Sequence, residues 1–451
     1  MIRYSGMAQD RPVLANIELV EHAPAVAHAL PDGVGRALVG AGVVDATPDP
    51  HTPGHWLLRA GSKVGAVTVR APGADGGAIT VRITPKVPVA RLFFLLGYSL
   101  APGRVWRDER DGQVTAVEHR DVLPALAHAM ERQTDRALRQ GLLQGYRRTE
   151  ETALVMRGRL READQIRRHF GATLPVEVTY DEFTVDIAEN RLLLAAVERL
   201  LRLPGVPRDV RRRLLHQRSR LAGVTPLAPG QAPPAWHPSR LNARYHHALH
   251  LARAVLNEAS AEHAPGGLHI DGFLFDMNKL FEDFVTVALR EAFLGTALTG
   301  RLQDAHHLDE AAVIRMRPDF VLHGPDGTPL AVADAKYKAE KRDGYPDADL
   351  YQMLAYCTAL GLREGHLVYA KGNAPHAAHR VRHAGIVIHQ HALDLDQEPA
   401  RLLADVTALT RLMLADLPLR SARGWESPTA ICDKSGFAHA LPRTSDRMTG
   451  Q

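Results

Sequence analysis

Cysteine is nearly absent from this 451-residue sequence, which contains only Cys357 and Cys432. Two cysteines cannot build a disulfide framework or a cysteine-based zinc site, and such low usage is typical of a reducing compartment. The sequence has no run of about 18 apolar residues, and its first residues lack an apolar core of signal-peptide length. We therefore expect a cytoplasmic protein with no membrane partner.

A phosphate-binding loop of the form G-x-x-x-x-G-K-[ST] is also missing. Cleavage coupled to nucleotide-driven movement would therefore require a second protein. Lysine is scarce as well, at eight of 55 basic residues. Three of the eight are Lys336, Lys338 and Lys341, and a compact ammonium is not interchangeable with a guanidinium group in a site. This concentration singles out the segment around residue 336.

The overall composition is that of a globular protein, with 45% apolar and 24% charged residues. A chain of this length can form two or three domains with their own cores. The formal net charge is +4. This mildly basic balance is compatible with nucleic acid but does not require it.

Local patterns divide the chain into four parts. Residues 1–90 are predicted to form a β-rich domain with a small antiparallel sheet or barrel, and residues 91–240 a mainly helical region. Residues 241–417 mix strands with helices, and residues 418–451 form a tail that we expect to be partly disordered. The proline-rich segment Thr225–Ser239 marks the main boundary. The fold class is α/β, or α+β for the whole chain.

Individual elements before the boundary follow from the same periodicities. The predicted strands are Trp56–Arg59, Val64–Val69, Ala78–Thr84, Val155–Leu160 and Val176–Tyr180. The predicted helices, including one after the boundary, are Arg91–Leu100, Val122–Leu143, Ala188–Leu203, Arg208–Leu221 and Leu241–Leu256.

The stretch from residue 313 to residue 338 is predicted to be a β-hairpin. Val313–His323 is rich in β-favouring residues, Gly324–Gly327 supplies turn chemistry, and Pro329–Lys338 alternates between polar and apolar residues. A further strand is predicted at His366–Lys371. This hairpin is the part of the chain around which a function can be argued.

Charged residues of the hairpin are predicted to share one face. Side chains two apart in a strand project the same way, so Asp334 and Lys336 lie together, and folding brings Asp319 beside Asp334. Close carboxylates raise each other's pKa unless a divalent cation lies between them, and oxygen ligands suit Mg²⁺ or Mn²⁺. Lys336 would orient a water or offset charge on a phosphate under attack. The alternative is a solvated hairpin face without chemistry.

A helix before the hairpin is predicted to contribute another acid. Asp276 can cap a helix that runs to about Leu294, and Glu282 lies off the centre of its apolar stripe. Packing of this helix against the hairpin would present Glu282 near the carboxylate pair, although a solvated helix acid is the alternative. The stripe consists of Leu280, Phe281, Phe284, Val287 and Ala288.

A helix after the hairpin is predicted to begin at Asp347 or Asp349. On it Gln352 and Tyr356 are one turn apart on one face. We expect both side chains to face bound DNA or to support Lys336, because other residues supply the buried side. Those residues are Leu350, Leu354 and Cys357.

The order of these elements resembles the PD-(D/E)xK nuclease fold, with the motif present as Pro318-Asp319 followed by Asp334-Ala335-Lys336. Longer words of the sequence are similar to McrC, the nuclease subunit of McrBC-type modification-dependent restriction systems. These words are ITPKV at 83–87, RGRL at 157–160, YDEFTVDIAENRLL at 180–193, FDMNKLFEDFV at 275–285, RPDFVL at 317–322, DAKYK at 334–338 and DLYQMLAYC at 349–357.

The resemblance implies a metal-dependent DNA endonuclease that acts with a separate GTP-hydrolysing AAA+ ring, McrB, on DNA carrying modified cytosine. It implies a C-terminal restriction-endonuclease-like domain in which Asp319 and Asp334 bind Mg²⁺ or Mn²⁺, with the carbonyl of Ala335 completing the shell. Lys336 would position or activate water, and Glu282 is a further candidate for metal or water binding. Recognition of the modified base is assigned to the partner, and residues before about 260, chiefly the helical region 91–240, are then the expected partner-binding and possible DNA-binding part.

The basic helix Arg208–Leu221 is a candidate for binding DNA backbone. Arginines on such a face can neutralise phosphates without reading sequence, and a solvated charged face is the alternative. The candidates for phosphate contact are Arg208, Arg211, Arg212 and Arg213.

Two other functions are compatible with these patterns. One is a non-catalytic adaptor that binds DNA and stimulates an AAA+ partner, with the nuclease fold as scaffold. The other is a nuclease of the same fold in DNA repair or recombination. The presence of all three core motif residues favours catalysis over the adaptor.

Overall fold

The computed structural model describes most of the chain. The described residues are 13–40, 42–70, 78–100, 121–170, 172–228, 230–257, 269–337, 347–370 and 376–415. Within them the protein is a mixed α/β structure with ten helices and 18 strands in five sheets. The predicted tail 418–451 and the residues Lys338, Lys341 and Lys371 lie outside these ranges.

The N-terminal part is strand-rich, as predicted. Its elements are β1 (Val13–Val20), β2 (Val26–Ala29), α1 (Asp32–Gly40), β3 (Asp45–Pro48), β4 (His55–Arg59), β5 (Lys63–Arg70) and β6 (Ala78–Thr84). The three strands predicted here correspond to β4, β5 and β6. Strands β2, β4 and β3 form a small antiparallel sheet.

The second N-terminal sheet differs from the prediction in two ways. It has the order β1-β6-β5-β10, and β1 pairs with β6 in parallel, so this part is not a purely antiparallel sheet. Its edge strand β10 (His269–Asp276) comes from far along the chain and pairs antiparallel with β5. Pairing between segments 200 residues apart leaves no local sequence signal. The division at residues 90 and 240 stays a prediction.

The middle region is helical, with a small sheet added. Its elements are α2 (Val89–Leu100), α3 (Val122–Leu138), β7 (Gly145–Ala153), β8 (Arg159–Leu160), α4 (Glu162–His169), β9 (Val176–Thr184), α5 (Ala188–Arg202), α6 (Arg208–Arg220) and α7 (His246–Asn257). The proline-rich segment Thr225–Ser239 has no regular structure in its described residues. Buried Trp236 nevertheless packs against His246 and His250, with ring centroids 5.4 and 5.2 Å apart.

Strand β7 was not predicted, and the predicted strand Val155–Leu160 is reduced to β8. The segment of β7, GYRRTEETA, has no apolar stripe. It is a strand because all nine residues pair antiparallel with β9, from Gly145 opposite Thr184 to Ala153 opposite Val176. Backbone pairing therefore overrides the weak local pattern.

The C-terminal part is built around a six-stranded mixed sheet with the order β11-β14-β15-β16-β18-β17. Its elements are α8 (Met277–Ala292), β11 (Thr299–Leu302), β12 (His306–His307), β13 (Arg315–Met316), β14 (Phe320–His323), β15 (Pro329–Lys336), α9 (Asp347–Leu360), β16 (Glu364–Ala370), β17 (His376–Arg380), β18 (Val387–Leu393) and α10 (Pro399–Ala415). Strand β15 is central and pairs antiparallel with β14 and parallel with β16.

The two faces of β15 carry different cores, as its alternation predicts. Ala333, Ala335 and Tyr337 belong to the large hydrophobic core that contains α8 and the N-terminal sheet. Val332 belongs to a smaller core under α9. Tyr337 also donates a hydrogen bond of 3.1 Å to the buried carboxylate of Glu21, which ties the hairpin to the N-terminal part.

The predicted hairpin is present, but its first strand is interrupted. Residues 315–316 form β13 and pair with β12, whereas β14 begins only at Phe320. Proline has no backbone N–H to donate to a ladder, and Pro318 lies in this interruption. Asp319 therefore lies just before β14 rather than within a strand.

Helix α9 packs closely on β16 at Gly365, and this contact predicts a stability change. A Cβ atom at Gly365 would lie 2.5 Å from Met353 Sδ and 2.6 Å from the buried Cys357 Sγ. Gly365→Ala is expected to lower the free energy of unfolding by about 1–3 kcal/mol through overpacking. The measurement is thermal melting, with Gly33→Ala in α1 as the control because no atom lies within 4 Å of that Cβ.

Candidate active site

Three carboxylates and one lysine meet where β14 begins and β15 ends. The side chain of Asp334 is 2% exposed and forms an ion pair with Lys336, two residues along the same strand. Asp319 is 7% exposed, and its Oδ2 accepts a 3.0 Å hydrogen bond from the backbone N–H of Ala335. This bond places Asp319 against the Asp334–Lys336 segment, as the hairpin predicts.

Gln303 joins the third carboxylate to this pair. Its Nε2 donates to Glu282 on α8 and, over 2.9 Å, to Asp319 Oδ1. Glu282 thus reaches the carboxylate pair, as the helix pattern predicts. The helix itself is capped by Asp276, which accepts a 2.9 Å bond from the N–H of Asn278.

Burial makes all three carboxyl groups weaker acids than carboxyl groups in water, because it raises their pKa values. It raises the pKa of Asp334 to about 7 with help from the charge of Asp319. It also raises the pKa of Asp319 to about 6, and Glu282 adds to this shift. The pKa of Glu282 is raised as well, by burial and by the charges of Asp283 and Asp334. Ionised forms of this group therefore call for a compensating cation.

Lys336 supplies one positive charge but does not neutralise the group. Burial by itself would lower its pKa, whereas Asp334, Asp319 and Asp349 raise it above its ordinary value. The ammonium therefore stays charged at neutral pH. Asp334 Oδ2 contacts this ammonium but has no partner in hydrogen-bond geometry.

These donors fit a hard divalent cation. Carboxylate oxygens are the ligands that Mg²⁺ and Mn²⁺ prefer, and the group has an excess of negative charge when it is ionised. The buried Asp334 Oδ2, which contacts the Lys336 ammonium but accepts no hydrogen bond of good geometry, is a potential ligand for such an ion. Asp319 and Asp334 are the residues that would hold it, with Glu282 beside them. The metal-binding role of the Ala335 carbonyl stays a prediction, since the contact that Ala335 makes here is the hydrogen bond from its N–H to Asp319.

Comparison with known proteins identifies the family. The model of the McrBC 5-methylcytosine restriction system component matches residues 58–370, which is more than half of the chain. The chain belongs to this family. Comparison with curated protein sequences gives no significant match.

Solved structures are similar to this McrBC family member at low sequence identity. The McrC-containing half-complex of Thermococcus gammatolerans McrB AAA+ hexamers is 17% identical with a TM-score of 0.54, and the match covers 88% of this chain and 100% of that chain. The T. gammatolerans McrBC complex is 19% identical with a TM-score of 0.36, covering 62% of this chain and 88% of that chain. The first likeness shows a shared fold.

In this McrBC family chain, the prediction that Gln352 and Tyr356 both lie away from the buried side of α9 is partly wrong. Gln352 is exposed and donates a 2.7 Å bond to the hydroxyl of Tyr356. Tyr356, however, is buried in the small core, whereas Leu350 and Leu354 are only partly buried. The buried residues of the helix are Asp349, Met353, Tyr356 and Cys357, of which only Cys357 was predicted to be on the buried side.

Tyr356 nevertheless lies close enough to the carboxylates to feel their charge, and its accessory role stays a prediction. Burial raises the pKa of Tyr356 to about 12, and the nearby charge of Asp334 adds to the shift. Its hydroxyl therefore lies in the electrostatic field of the carboxylates and remains protonated. We expect it to act as a neutral hydrogen-bonding group close to Lys336.

Two residues of the site were not predicted as parts of it. Gln303 follows β11, and its left-handed φ of 50° and its N–H bond of 2.9 Å to the carbonyl of Asp319 are set by strand pairing. Asp349 was considered only as a helix start, yet it is buried and accepts a 3.2 Å bond from the Tyr369 hydroxyl. Neither residue stands in a pattern that local periodicity reveals.

The basic helix α6 is not a uniform phosphate-binding face. Arg211 donates to the carbonyls of Leu201 and Leu203, which closes the turn before the helix. Arg213 pairs with Glu131 at 3.1 Å and with Asp209 at 2.9 Å. The guanidinium groups of two of the four candidate arginines therefore bind groups within the protein.

The other two candidates, Arg208 and Arg212, are exposed. Their contact with DNA stays a prediction. In the described part of the chain, no helix combines the length and apolarity that crossing a bilayer requires.

Proposed function

We propose that this McrBC family protein is the Mg²⁺-dependent endonuclease subunit of a modification-dependent restriction system. It cuts DNA together with an McrB-like, GTP-hydrolysing AAA+ partner, and the DNA carries modified cytosine. The observation that carries the proposal is the convergence of Glu282, Asp319, Asp334 and Lys336 at one end of the β14–β15 hairpin.

Each residue has a role that its surroundings support. Asp319 and Asp334 would hold Mg²⁺, which would polarise the scissile phosphate and lower the pKa of a bound water. Lys336 remains a cation beside Asp334 and stabilises the negative charge that develops on the phosphate. Glu282 would bind either the metal or its water. Gln303 keeps Glu282 and Asp319 together before the metal binds.

The strand and helix order around the site supports a PD-(D/E)xK domain. Helix α8, the hairpin β14–β15, helix α9 and strand β16 follow one another as in that fold, and β15 is flanked by β14 and β16. The motif residues stand where the hairpin ends. We assign the nuclease domain to residues 241–417 and the partner-binding part to residues before it. Within that range the core of the domain begins at α8, because β10 pairs with the N-terminal sheet.

Exposed apolar side chains are concentrated in residues 145–184, the segment that forms the β7–β8–β9 sheet and α4, and they support the assignment of the partner-binding part. Apolar patches of this kind mark interaction sites on soluble proteins. Phe170 is 92% exposed and Tyr146 is 76% exposed, and the ring of Tyr146 contacts that of Phe183 with centroids 5.2 Å apart and planes inclined by 52°. The other exposed members are Leu154, Val155, Met156, Ile166 and Leu174. We propose that this surface, here called the β7–β9 surface, contacts the AAA+ ring.

This surface predicts a binding defect. Phe170→Asp is expected to weaken association with the AAA+ partner by about tenfold or more, since a central aromatic anchor contributes about 2 kcal/mol or more to an interface. Analytical ultracentrifugation of the mixed proteins measures it. Leu241→Asp is the matched control, because Leu241 is 86% exposed but lies outside the β7–β9 surface. Equal binding by both variants would rule this surface out.

The experiment that tests the function is cleavage of DNA by the chain with its partner across Mg²⁺ concentration and pH. A cation must displace protons from Asp319 and Asp334, whose pKa values are about 6 and about 7. The Mg²⁺ concentration for half-maximal cleavage is therefore expected to fall as pH rises from about 6 to about 7. Cleavage that persists in excess chelator would contradict the metal assignment.

The same assay separates the alternatives. A non-catalytic adaptor would stimulate nucleotide hydrolysis by the partner without any DNA product at any Mg²⁺ concentration. A repair or recombination nuclease would cut modified and unmodified DNA equally. Selective cutting of DNA with modified cytosine supports the restriction system.

A further inference from the structure

A second polar cluster lies next to the candidate active site and consists of Asp304, His306 and His323. Asp304 Oδ2 is 2.9 Å from His306 Nε2 and 3.3 Å from His323 Nε2. The two imidazole rings stack with centroids 6.5 Å apart and planes inclined by 16°. One nitrogen of each histidine and one carboxylate oxygen of Asp304 all lie within 4.8 Å of one another. Among the described residues, this is the group of three histidine, cysteine, aspartate or glutamate side chains that meets this distance.

The fold brings these side chains together from three segments. Asp304 follows β11, His306 lies in β12 and His323 ends β14. The side chain of His323 is buried, and its Nδ1 has no hydrogen-bond partner. Asp304 and His306 are half-buried. The cluster is thus shielded on the side of the sheet and reachable from solvent at His306.

We propose that Asp304, His306 and His323 bind a divalent transition-metal ion of the Zn²⁺ class. Two imidazole nitrogens and one carboxylate form a ligand set that such ions prefer, whereas Mg²⁺ prefers oxygen ligands. Three protein ligands leave a fourth position for water. The site is chemically distinct from the oxygen-only group at Asp319 and Asp334.

An ion at this cluster would also position the active site. It would tie the segment after β11 to the end of β14. Gln303 is the neighbour of Asp304 in the chain and holds both Glu282 and Asp319. Arg301 is a nearby cation whose charge disfavours a second positive charge at His323. Its side chain is exposed, however, and the negative charge of Asp304 acts in the opposite direction. The role is therefore to position Gln303, without contact to the substrate.

The test is Zn²⁺ binding to the full chain without an affinity tag, measured by calorimetry in excess Mg²⁺ to occupy the oxygen ligands. The parent is expected to bind one equivalent of Zn²⁺. His306→Asn and Asp304→Asn are each expected to weaken Zn²⁺ binding, because each removes a metal ligand. The loss should exceed the about tenfold to hundredfold that follows removal of a residue that only hydrogen-bonds to a ligand. His307→Asn is the matched control, since His307 is the exposed neighbour in the same strand.

Thermal melting provides a second readout that does not depend on nuclease activity. Zn²⁺ is expected to raise the melting temperature of the parent and of His307→Asn but not that of His306→Asn, while all three melt alike in chelator. Asp334→Asn should bind Zn²⁺ like the parent. The proposal is wrong if the parent binds no Zn²⁺, if His306→Asn binds it equally, or if Asp334→Asn loses it.

Discussion

An Asp334→Asn variant is expected to lose DNA cleavage by about 10²-fold or more in an assay that contains the AAA+ partner, DNA and Mg²⁺. The amide keeps the shape of the side chain but removes the anionic oxygen that we assign to the metal. Loss of one group that stabilises charge at a reacting centre costs about 10²–10³ in rate. Unchanged Mg²⁺-dependent cleavage by this variant would overturn the site assignment.

The same variant is expected to remain folded. Asp334 is buried rather than a surface charge, and its raised pKa means that folding disfavours its ionised form. The protonated Asp334 stabilises the folded protein fully at pH values below 3.8, the ordinary pKa of an aspartate. This stabilisation is lost as the pH rises to about 7, the pKa of Asp334 in the folded protein. Asparagine does not titrate. The melting temperature of the variant relative to the parent should therefore rise between about pH 4 and pH 7.

Two features make this experiment specific. Lys336 loses one partner in the variant, but Asp319 and Asp349 stay near its ammonium, so a cooperative melt is expected. Asp326→Asn is the matched control, because Asp326 lies in the exposed turn of the same hairpin and accepts a bond from the N–H of Thr328. Its cleavage rate should equal that of the parent.

The isolated chain is expected to cut DNA at least about 10²-fold more slowly than the chain with its AAA+ partner and GTP. A two-carboxylate metal site can hydrolyse any phosphodiester that reaches it, so selectivity must come from delivery of the DNA. The exposed arginines Arg208 and Arg212 would contact phosphates, which carry no sequence information. A partner that holds the substrate raises its local concentration by about 10²–10⁴.

The measurement compares modified and unmodified DNA, with and without the partner, in Mg²⁺ with GTP or ATP. The Asp334→Asn chain with the same partner is the control for nuclease contamination. Efficient and modification-selective cutting by the chain alone would contradict the two-component system. Loss of stimulation in Phe170→Asp would connect the effect to the β7–β9 surface.

Much of the C-terminal site could be predicted because its signals are local. Alternation along β15 places Asp334 and Lys336 on one face and Ala335 on the other, and the structure has this arrangement. The periodic stripe and the Asp276 cap predicted α8 to within two residues of its observed end at Ala292. Such patterns depend on 3.6-residue and two-residue repeats that neighbours in the chain produce by themselves.

Other features could not be predicted because they depend on distant segments. Gln303 enters the site since β11 pairs with β14 in a register that sets Leu302 opposite Phe320. Tyr356 is buried because of how α9 lies on the sheet, not because of its own helix face. The same reason explains Arg211 and Arg213, which look like phosphate ligands in the sequence but bind carbonyls and carboxylates of neighbouring helices.

The sequence by itself determined the family, the hairpin and the identity of the residues that carry the proposed chemistry, since each of these is written in contiguous words or short periods. The tertiary structure alone decided that β10 completes the N-terminal sheet, that the buried Asp319 and Asp334 and the half-buried Glu282 lie together with raised pKa values, and that Asp304, His306 and His323 meet. Desolvation and close approach are properties of packing between segments far apart in the chain, and no local pattern contains them.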